Sequence, residues 1–251
     1  MPLATIELSD LTIKVLGPMH IGTGFARGLL NRTVVRGRDG LVYMPGSTLK
    51  GKARDACEAL ARLYELGECR APHPQFMAKH RVEKCLVCRI FGAPARPSTL
   101  RWHSAALTED WRSALRYKID EDSPVVFGQT TVRTQVQLSR ARGLAAEAKL
   151  YTSEFAAPGL TFEARPALTG RLQLTTMTSV DEPDVYYELV LLLAGLKLIG
   201  ALGGGQSRGA GECELSLPAN IRMNNREVSV AKQLAFVEEL RLLWEEPEAQ
   251  S

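Results

Sequence analysis

Along residues 5–16 apolar and polar side chains alternate with a period of two: Leu11, Ile13 and Val15 fall on one face, Thr12 and Lys14 on the other. That pattern predicts a half-buried strand. The PMHIGTGFARG that follows is too rich in glycine for a regular element, and TVVRGRDGLVYMPG reads as a short hairpin turning at Arg38-Asp39-Gly40. The period then becomes helical. Leu49, Ala53, Cys57, Leu60 and Tyr64 recur at i, i+4, i+8, i+11 and i+15, an apolar stripe on a helix capped by Ser47 or Thr48 and running to about Leu66, with Gly67 as its stop. Residues 67–98 lose this periodicity and gain Pro, His and Cys, as an insertion does.

Residues 100–128 are mixed, with a helical turn around Trp111 and a strand at Val125–Phe127. Beyond them, residues 129–160 place a basic turn between two segments of strand character. Strand pattern resumes at Leu168–Met177. An apolar helix follows from about Pro183 to Ile199, with proline in its first turn, where a missing N–H costs nothing. GALGGGQSRGAG breaks it, Glu212–Leu217 alternates as a strand, and an amphipathic helix runs from a Ser229 cap through Trp244, with Val230, Leu234, Val237 and Leu240 inward. The order strand, helix, strands, helix, strand predicts an α+β fold, a single ferredoxin-like domain over 1–251 with two large insertions.

Composition narrows the class. Of 251 residues 45% are hydrophobic and 24% charged, which excludes wholesale disorder and fibrous repeats. The longest apolar run, Leu189–Leu196, is far short of a bilayer span, and MPLATIELSD carries acids where a signal peptide is basic and then apolar. The chain therefore reads as cytoplasmic, with no membrane partner. The net charge is only +3, but 22 of the 31 basic residues are Arg, whose planar fork grips phosphates and stacks on bases. GC-rich coding produces the same bias.

Several residue groups could carry chemistry. Cys69-x3-His73 and Cys85-x2-Cys88 have the spacing of a closed tetrahedral Zn2+ site, with His80 competing for the fourth place; a buried thiol cluster is the alternative. Cys57 and Cys213 fall on core positions. In MPGSTLKGKAR, Ser47, Lys50, Lys52 and Arg54 surround the free N–H groups of a helix start, either an anion site or an ordinary capped helix. Gly204, Gly205, Ser207 and Arg208 lie in a glycine-dense loop that suits a phosphodiester backbone, or a plain turn; it lacks the Lys-Ser/Thr ending of a nucleotide P-loop. Arg133, Arg140 and Arg142 line the basic turn. Between Asp10 and Asp39 the chain has no acid, so that stretch cannot hold a catalytic metal. His20 there is either a general acid/base for metal-free RNA cleavage or a histidine satisfied in a turn. Asp120-Glu121-Asp122 reads as a solvated turn.

Taken in order, PMHIGTG, YMPGSTLKGKAR, CLVCRIFGAP, the stretch RTQVQLSRARGLAAEAKLYTSEFAAPGLTFEA and GGGQSRGAGECEL resemble the RAMP superfamily. They are most similar to the guide-RNA backbone subunits of type III CRISPR effector complexes, and the resemblance covers residues 5–218. It implies a modified RNA-recognition (RRM-like) palm. Residues 129–158 would be a thumb hairpin that kinks the guide–target duplex, and residues 67–98 a zinc-binding lid. The helix start and the GGGQSRG loop would grip the guide (crRNA) backbone. Partners would be guide RNA, complementary target RNA and other effector subunits, with stacked copies of itself or of related RAMP subunits. Target-cleaving relatives carry Asp in a pattern like D-x-x-V-V-R, where this chain has Asn31 in NRTVVRG. An amide cannot serve as that acid, so the resemblance implies binding without target cleavage at this position. The alternative within the superfamily is a metal-independent endoribonuclease processing guide precursors, with His20 as acid–base.

Overall fold

The computed structural model describes residues 3–66, 69, 73, 75, 85–94, 96–116, 128–139, 141, 143–177, 180 and 182–244. The alternation at the start of the chain forms strands β1 (Leu3–Leu8) and β2 (Leu11–Val15), separated at Ser9-Asp10, with Ile6, Leu8, Leu11, Ile13 and Val15 buried. β3 (Tyr43–Met44) leads into helix α1 (Gly46–Leu63), and α2 (Leu86–Phe91) precedes β4 (Leu100–Trp102), β5 (Ala105–Leu107) and α3 (Glu109–Arg116). The hairpin β6 (Thr130–Ser139) and β7 (Leu144–Ala156) follows, then β8 (Thr161–Ala164), β9 (Leu168–Gln173), α4 (Tyr187–Lys197) and β10 (Cys213–Ser216). β11 (Asn220–Met223), β12 (Arg226–Ser229) and the short α5 (Val230–Leu234) end the regular structure, before a 3-10 segment at Glu238–Trp244.

Among the described residues the pairings between these strands are all antiparallel, and Arg32 and Ser153 form one isolated parallel bridge. One sheet has the order β12-β11-β1-β9-β4 and the other β10-β2-β8-β5-β3. Four segments contribute one strand to each sheet, dividing at Ser9-Asp10, at His103-Ser104, after Ala164 and after Ser216. The two sheets are thus halves of one bent surface, in which residues 213–223 lie beside 3–15, then 161–173, then 100–107. Helices α1 and α4 pack on each other so closely that a Cβ at Gly195 would stand 2.3 Å from Cys57 Sγ. Every residue of α4 from Tyr187 to Leu196 is buried, as a helix apolar on all sides requires. Its one acid, Glu188, is paired with Arg89 of α2 at 2.5 Å and accepts from Thr175 N at 2.7 Å.

The elements differ from their sequence expectations at the ends. Neither Ser47 nor Thr48 caps α1: Pro45 occupies the cap without a side-chain hydrogen bond. The helix also stops at Leu63, because Glu65 takes φ 56° ahead of Gly67. α4 starts at Tyr187, so Pro183 lies in the approach and not in the first turn. Ser229 does cap α5, accepting from Lys232 N at 3.3 Å, but the helix gives way after Leu234 to the 3-10 segment. The mixed stretch after residue 99 supplies strands β4 and β5, and TFEA supplies β8. β11 and β12 turn at Asn224-Asn225, both with positive φ. Val125–Phe127 and Asp120-Glu121-Asp122 lie outside the described residues.

Candidate nucleic-acid interface

Three segments meet at the root of the β6–β7 hairpin. Met19 and Ala156 exchange backbone hydrogen bonds at 3.1 and 2.7 Å, tying the loop after β2 to the end of β7. Gly204 N donates to His20 O at 2.8 Å, which brings in the glycine loop. That approach requires a glycine next door: Gly203 has φ +82°, and a Cβ there would stand 2.3 Å from His20 O. Around the junction His20, Arg32, Arg133, Ser153 and Arg208 line one cleft, and no carboxylate is among its lining residues.

Strand alternation puts these groups on one side. The register pairs Arg133 with Ser153 and Gln135 with Tyr151, so Arg133, Gln135, Tyr151, Ser153 and Phe155 share a face. The opposite face carries the exposed Val132, Val136 and Leu150. On the polar face the Arg133 guanidinium lies 5.6 Å from the Phe155 ring and that of Arg32 lies 5.0 Å from the Tyr151 ring. Arg208 Nη1 donates to Tyr151 Oη at 3.0 Å. His20 Nδ1 lies 2.7 Å from Glu154 O, so Nδ1 carries a proton and donates to that carbonyl, while the ring packs tilted on Phe155 at 5.6 Å.

Behind the cleft, two contacts fix the loop of residues 22–36 to β7. Asn31 Oδ1 accepts from Thr152 N at 2.8 Å, with the Thr152 hydroxyl 3.3 Å away. Glu154, buried, accepts from Val34 N at 3.0 Å and pairs with Arg36. Glu154, Arg36, Arg32 and Tyr151 were not legible as site residues. Their only signal is that an acid in β7 and arginines in the loop face each other across more than a hundred residues of chain.

The predicted helix-start group divides. Ser47 is exposed; Lys50 is half-buried, and burial, then Arg54, push its ammonium pKa down. Lys52 pairs with Asp55 at 3.1 Å. Arg54 faces the other way: its guanidinium donates to Glu58 at 2.9 Å, Gly92 O at 2.8 Å and Cys69 Sγ at 3.5 Å, because Glu58, Gly92 and Cys69 lie on the inward side of α1. In the glycine loop, Ser207 and Arg208 form a 3-10 turn between Gly205 and Gly209, both left-handed. Arg140 and Arg142 lie outside the described residues.

Cys69, Cys85 and Cys88 come together in the interior, with their sulfurs all within 4.8 Å of one another and Cys69 Sγ 3.4 Å from Cys88 Sγ. Cys85 is the cap of α2 and Cys88 sits in its first turn, the knuckle that C-x2-C predicts. Hydrogen bonds from Cys85 and Cys88, helped by Arg54 against the cost of burial, hold Cys69 down to about 2. Donating to Cys69 pushes the Cys85 thiol up to about 11, and Cys88 upward as well. Three soft sulfurs this close together fit a zinc ion by chemistry and spacing. His73 stands outside this cluster, exposed to solvent beyond Cys69, and His80 lies outside the described residues. Cys57 and Cys213 are buried core thiols whose pKa burial pushes up.

Comparison with known proteins bears on this arrangement. The family model described as the RAMP superfamily matches residues 12–214. No curated protein matches the chain. Among solved structures, a chain from the cryo-EM structure of the type III-B Cmr-beta bound to cognate target RNA is similar. It is 11% identical with a TM-score of 0.50, over 84% of this chain and 96% of that one. At that identity the likeness is one of fold. Among the described residues no helix is long and apolar enough to cross a membrane.

Proposed function

Because the chain belongs to the RAMP superfamily, we propose that it is a guide-RNA-binding backbone subunit of a type III CRISPR ribonucleoprotein, working in the cytoplasm beside other effector subunits. One observation carries the reading: hairpin, glycine loop and His20 loop converge on a single cationic cleft free of carboxylates. A groove of that charge binds a nucleic-acid backbone without reading sequence, which base pairing between guide and target supplies. The ferredoxin-like palm carries the groove. β6 and β7 act as the thumb that kinks the guide–target duplex, with Arg140 and Arg142 between them in the sequence as further contacts. Ser47, Lys50 and Lys52 add a second backbone contact at the helix start. Copies of the chain, or related subunits, stack along the guide, so modest affinity per copy accumulates.

Two finer roles belong to the same reading. Cys69, Cys85 and Cys88 hold a structural zinc with His73 or His80 as fourth ligand, and the ion supplies a closed staple for the lid with no part in chemistry. The subunit binds target without cutting it at Asn31, whose amide is engaged with Thr152. His20, as donor to Glu154 O, orients the cleft and does not process guide precursors.

The test is co-expression with the neighbouring genes and a repeat array, followed by sequencing of the RNA that copurifies and incubation with complementary target RNA. Discrete guide RNA in a large assembly, with intact target, is the expected result. Target cut at regular spacing by the wild type would sink the non-cutting role. Precursor cleavage by the isolated chain that disappears in His20→Ala would establish the endoribonuclease instead. A monomer without RNA would overturn the proposal.

A further inference from the structure

Ser153 lies on the floor of the thumb-root cleft, 2% exposed, and its hydroxyl has no hydrogen-bond partner among the described residues. A buried hydroxyl left unsatisfied costs stability, and such groups are uncommon in native folds unless a ligand completes them. Every charged side chain around it is of one kind: Arg32, Arg133 and Arg208 are cationic, and His20 presents a ring already fixed through Nδ1. The cleft measures ≈ 50 Å³, several times the roughly 10–15 Å³ that one water needs, which is room for a phosphate-sized group.

The glycine loop leaves that room open. A Cβ at Gly203 would clash, but a Cβ at Gly204 would meet only ordinary contacts at 3.8 Å from His20 Cδ2 and 3.9 Å from His20 O. Packing does not demand glycine at 204, yet its missing side chain keeps this wall of the cleft low. Tyr151 sets two of the cations in place, with Arg32 over its ring and Arg208 on its hydroxyl.

We infer that this cleft is a pocket for one phosphodiester group of the bound RNA, in which Ser153 Oγ donates to a phosphoryl oxygen and Arg32, Arg133 and Arg208 neutralise the charge. This rests on the RNA-binding reading and names the chemical unit that the thumb root takes. It assigns Ser153 and Arg32 as binding residues, and it distinguishes the pocket from the helix start, where only exposed or half-buried groups stand.

The full chain and its Ser153→Ala variant are compared by thermal unfolding and by fluorescence anisotropy with a labelled single-stranded RNA, together with Arg133→Ala and the double variant. Loss of a hydroxyl that serves only the ligand leaves Tm unchanged or raises it, and weakens RNA binding about tenfold, the scale of one charge-assisted hydrogen bond. Because both side chains hold one phosphate, the double variant loses less than the product of the single losses. RNA bound equally by Ser153→Ala, a lowered Tm that assigns the hydroxyl to the fold, or fully multiplicative losses would each overturn the pocket while leaving the RNA-binding reading in place. A wild type that binds no RNA overturns that reading and the pocket with it.

Discussion

Asn31 and Thr152 hold each other twice: Asn31 N donates to Thr152 O at 3.1 Å, and Thr152 N donates to Asn31 Oδ1 at 2.8 Å. The side chain of Asn31 thus acts as a piece of strand, extending β7 sideways into the loop. The side-chain contact falls on the oxygen, while the Thr152 hydroxyl, 3.3 Å from Oδ1, gives its one hydrogen to Leu29 O at 2.5 Å. The amide nitrogen takes no part in that contact.

Asn31→Asp is therefore expected to fold as the wild type does. A carboxylate offers the same acceptor to Thr152 N, with a charge that strengthens the bond. Asn31→Ala removes the acceptor and is expected to cost about 1 kcal/mol. Hydrogen exchange at Thr152 would read the difference: protected in the wild type and in Asn31→Asp, faster in Asn31→Ala. Equal exchange in all three would mean that the backbone contacts alone hold the loop.

A stronger anchor lies two residues along β7. Glu154 joins Val34 N and the Arg36 guanidinium in a buried position. Glu154→Ala leaves Arg36 without its partner and a buried N–H unmet, which is expected to cost about 3 kcal/mol, seen as a lower urea midpoint. Glu154→Gln keeps an acceptor for Val34 N and is expected to fall between the two. A Glu154→Ala protein as stable as the wild type would contradict this account of the thumb root.

The glycine loop separates fold from function at adjacent positions. Gly203→Ala would force a methyl to 2.3 Å from His20 O at φ +82°. It is expected to lower stability by roughly 1–3 kcal/mol and to loosen the His20 loop. Gly204→Ala meets no such clash and is expected to keep its Tm. Comparable losses in both variants would mean that the loop tolerates no side chain at all.

Much of this was readable in the chain because local rules carried it. Strand character exposes the β6–β7 hairpin, C-x2-C exposes the knuckle at Cys85 and Cys88, and glycine density exposes the loop at 203–211. The rest depends on contacts distant in sequence. β4 and β5 have three residues each, too short for a period to show, and are strands only because β8 and β9 pair with them. Arg54 has the same helical spacing whether it faces an RNA or Cys69, and only the contacts with Gly92 and Cys69 decide. Tyr151 reads as one aromatic among many until Arg32 and Arg208 close on it from elsewhere in the chain.

A loss of stability with rising pH is expected at Glu188. Burial raises its carboxyl pKa by more than the nearby Arg89 lowers it. A carboxyl whose folded pKa is raised binds its proton more tightly in the fold than in the open chain. Its contribution to stability is fully present below the ordinary value of 4.5 and is lost as pH rises through the raised value. The wild type is thus expected to lose stability relative to Glu188→Gln as pH climbs from below 4.5 towards neutrality. A Tm difference moving the opposite way would show the Arg89 pair outweighing desolvation.

The lid offers a measurement independent of RNA. Cys69, Cys85 and Cys88 are buried, and Arg54, which pairs with Glu58, also donates to Cys69 Sγ. If the cluster were only a packed thiol core, replacing Cys88 by Ser would cost a little packing and change nothing in metal content. If it holds zinc, metal analysis of the purified chain should give about one ion per molecule, since one tetrahedral ion needs all three sulfurs and a single nitrogen. Cys88→Ser and Cys69→Ser should then lose the ion together, and a strong chelator should lower the Tm of the wild type but not of either variant. The fourth ligand follows from the same assay: either His73→Ala or His80→Ala should release the metal more readily. Neither doing so would assign the last position to a group other than histidine, and zinc-free wild-type protein would return the cluster to the core.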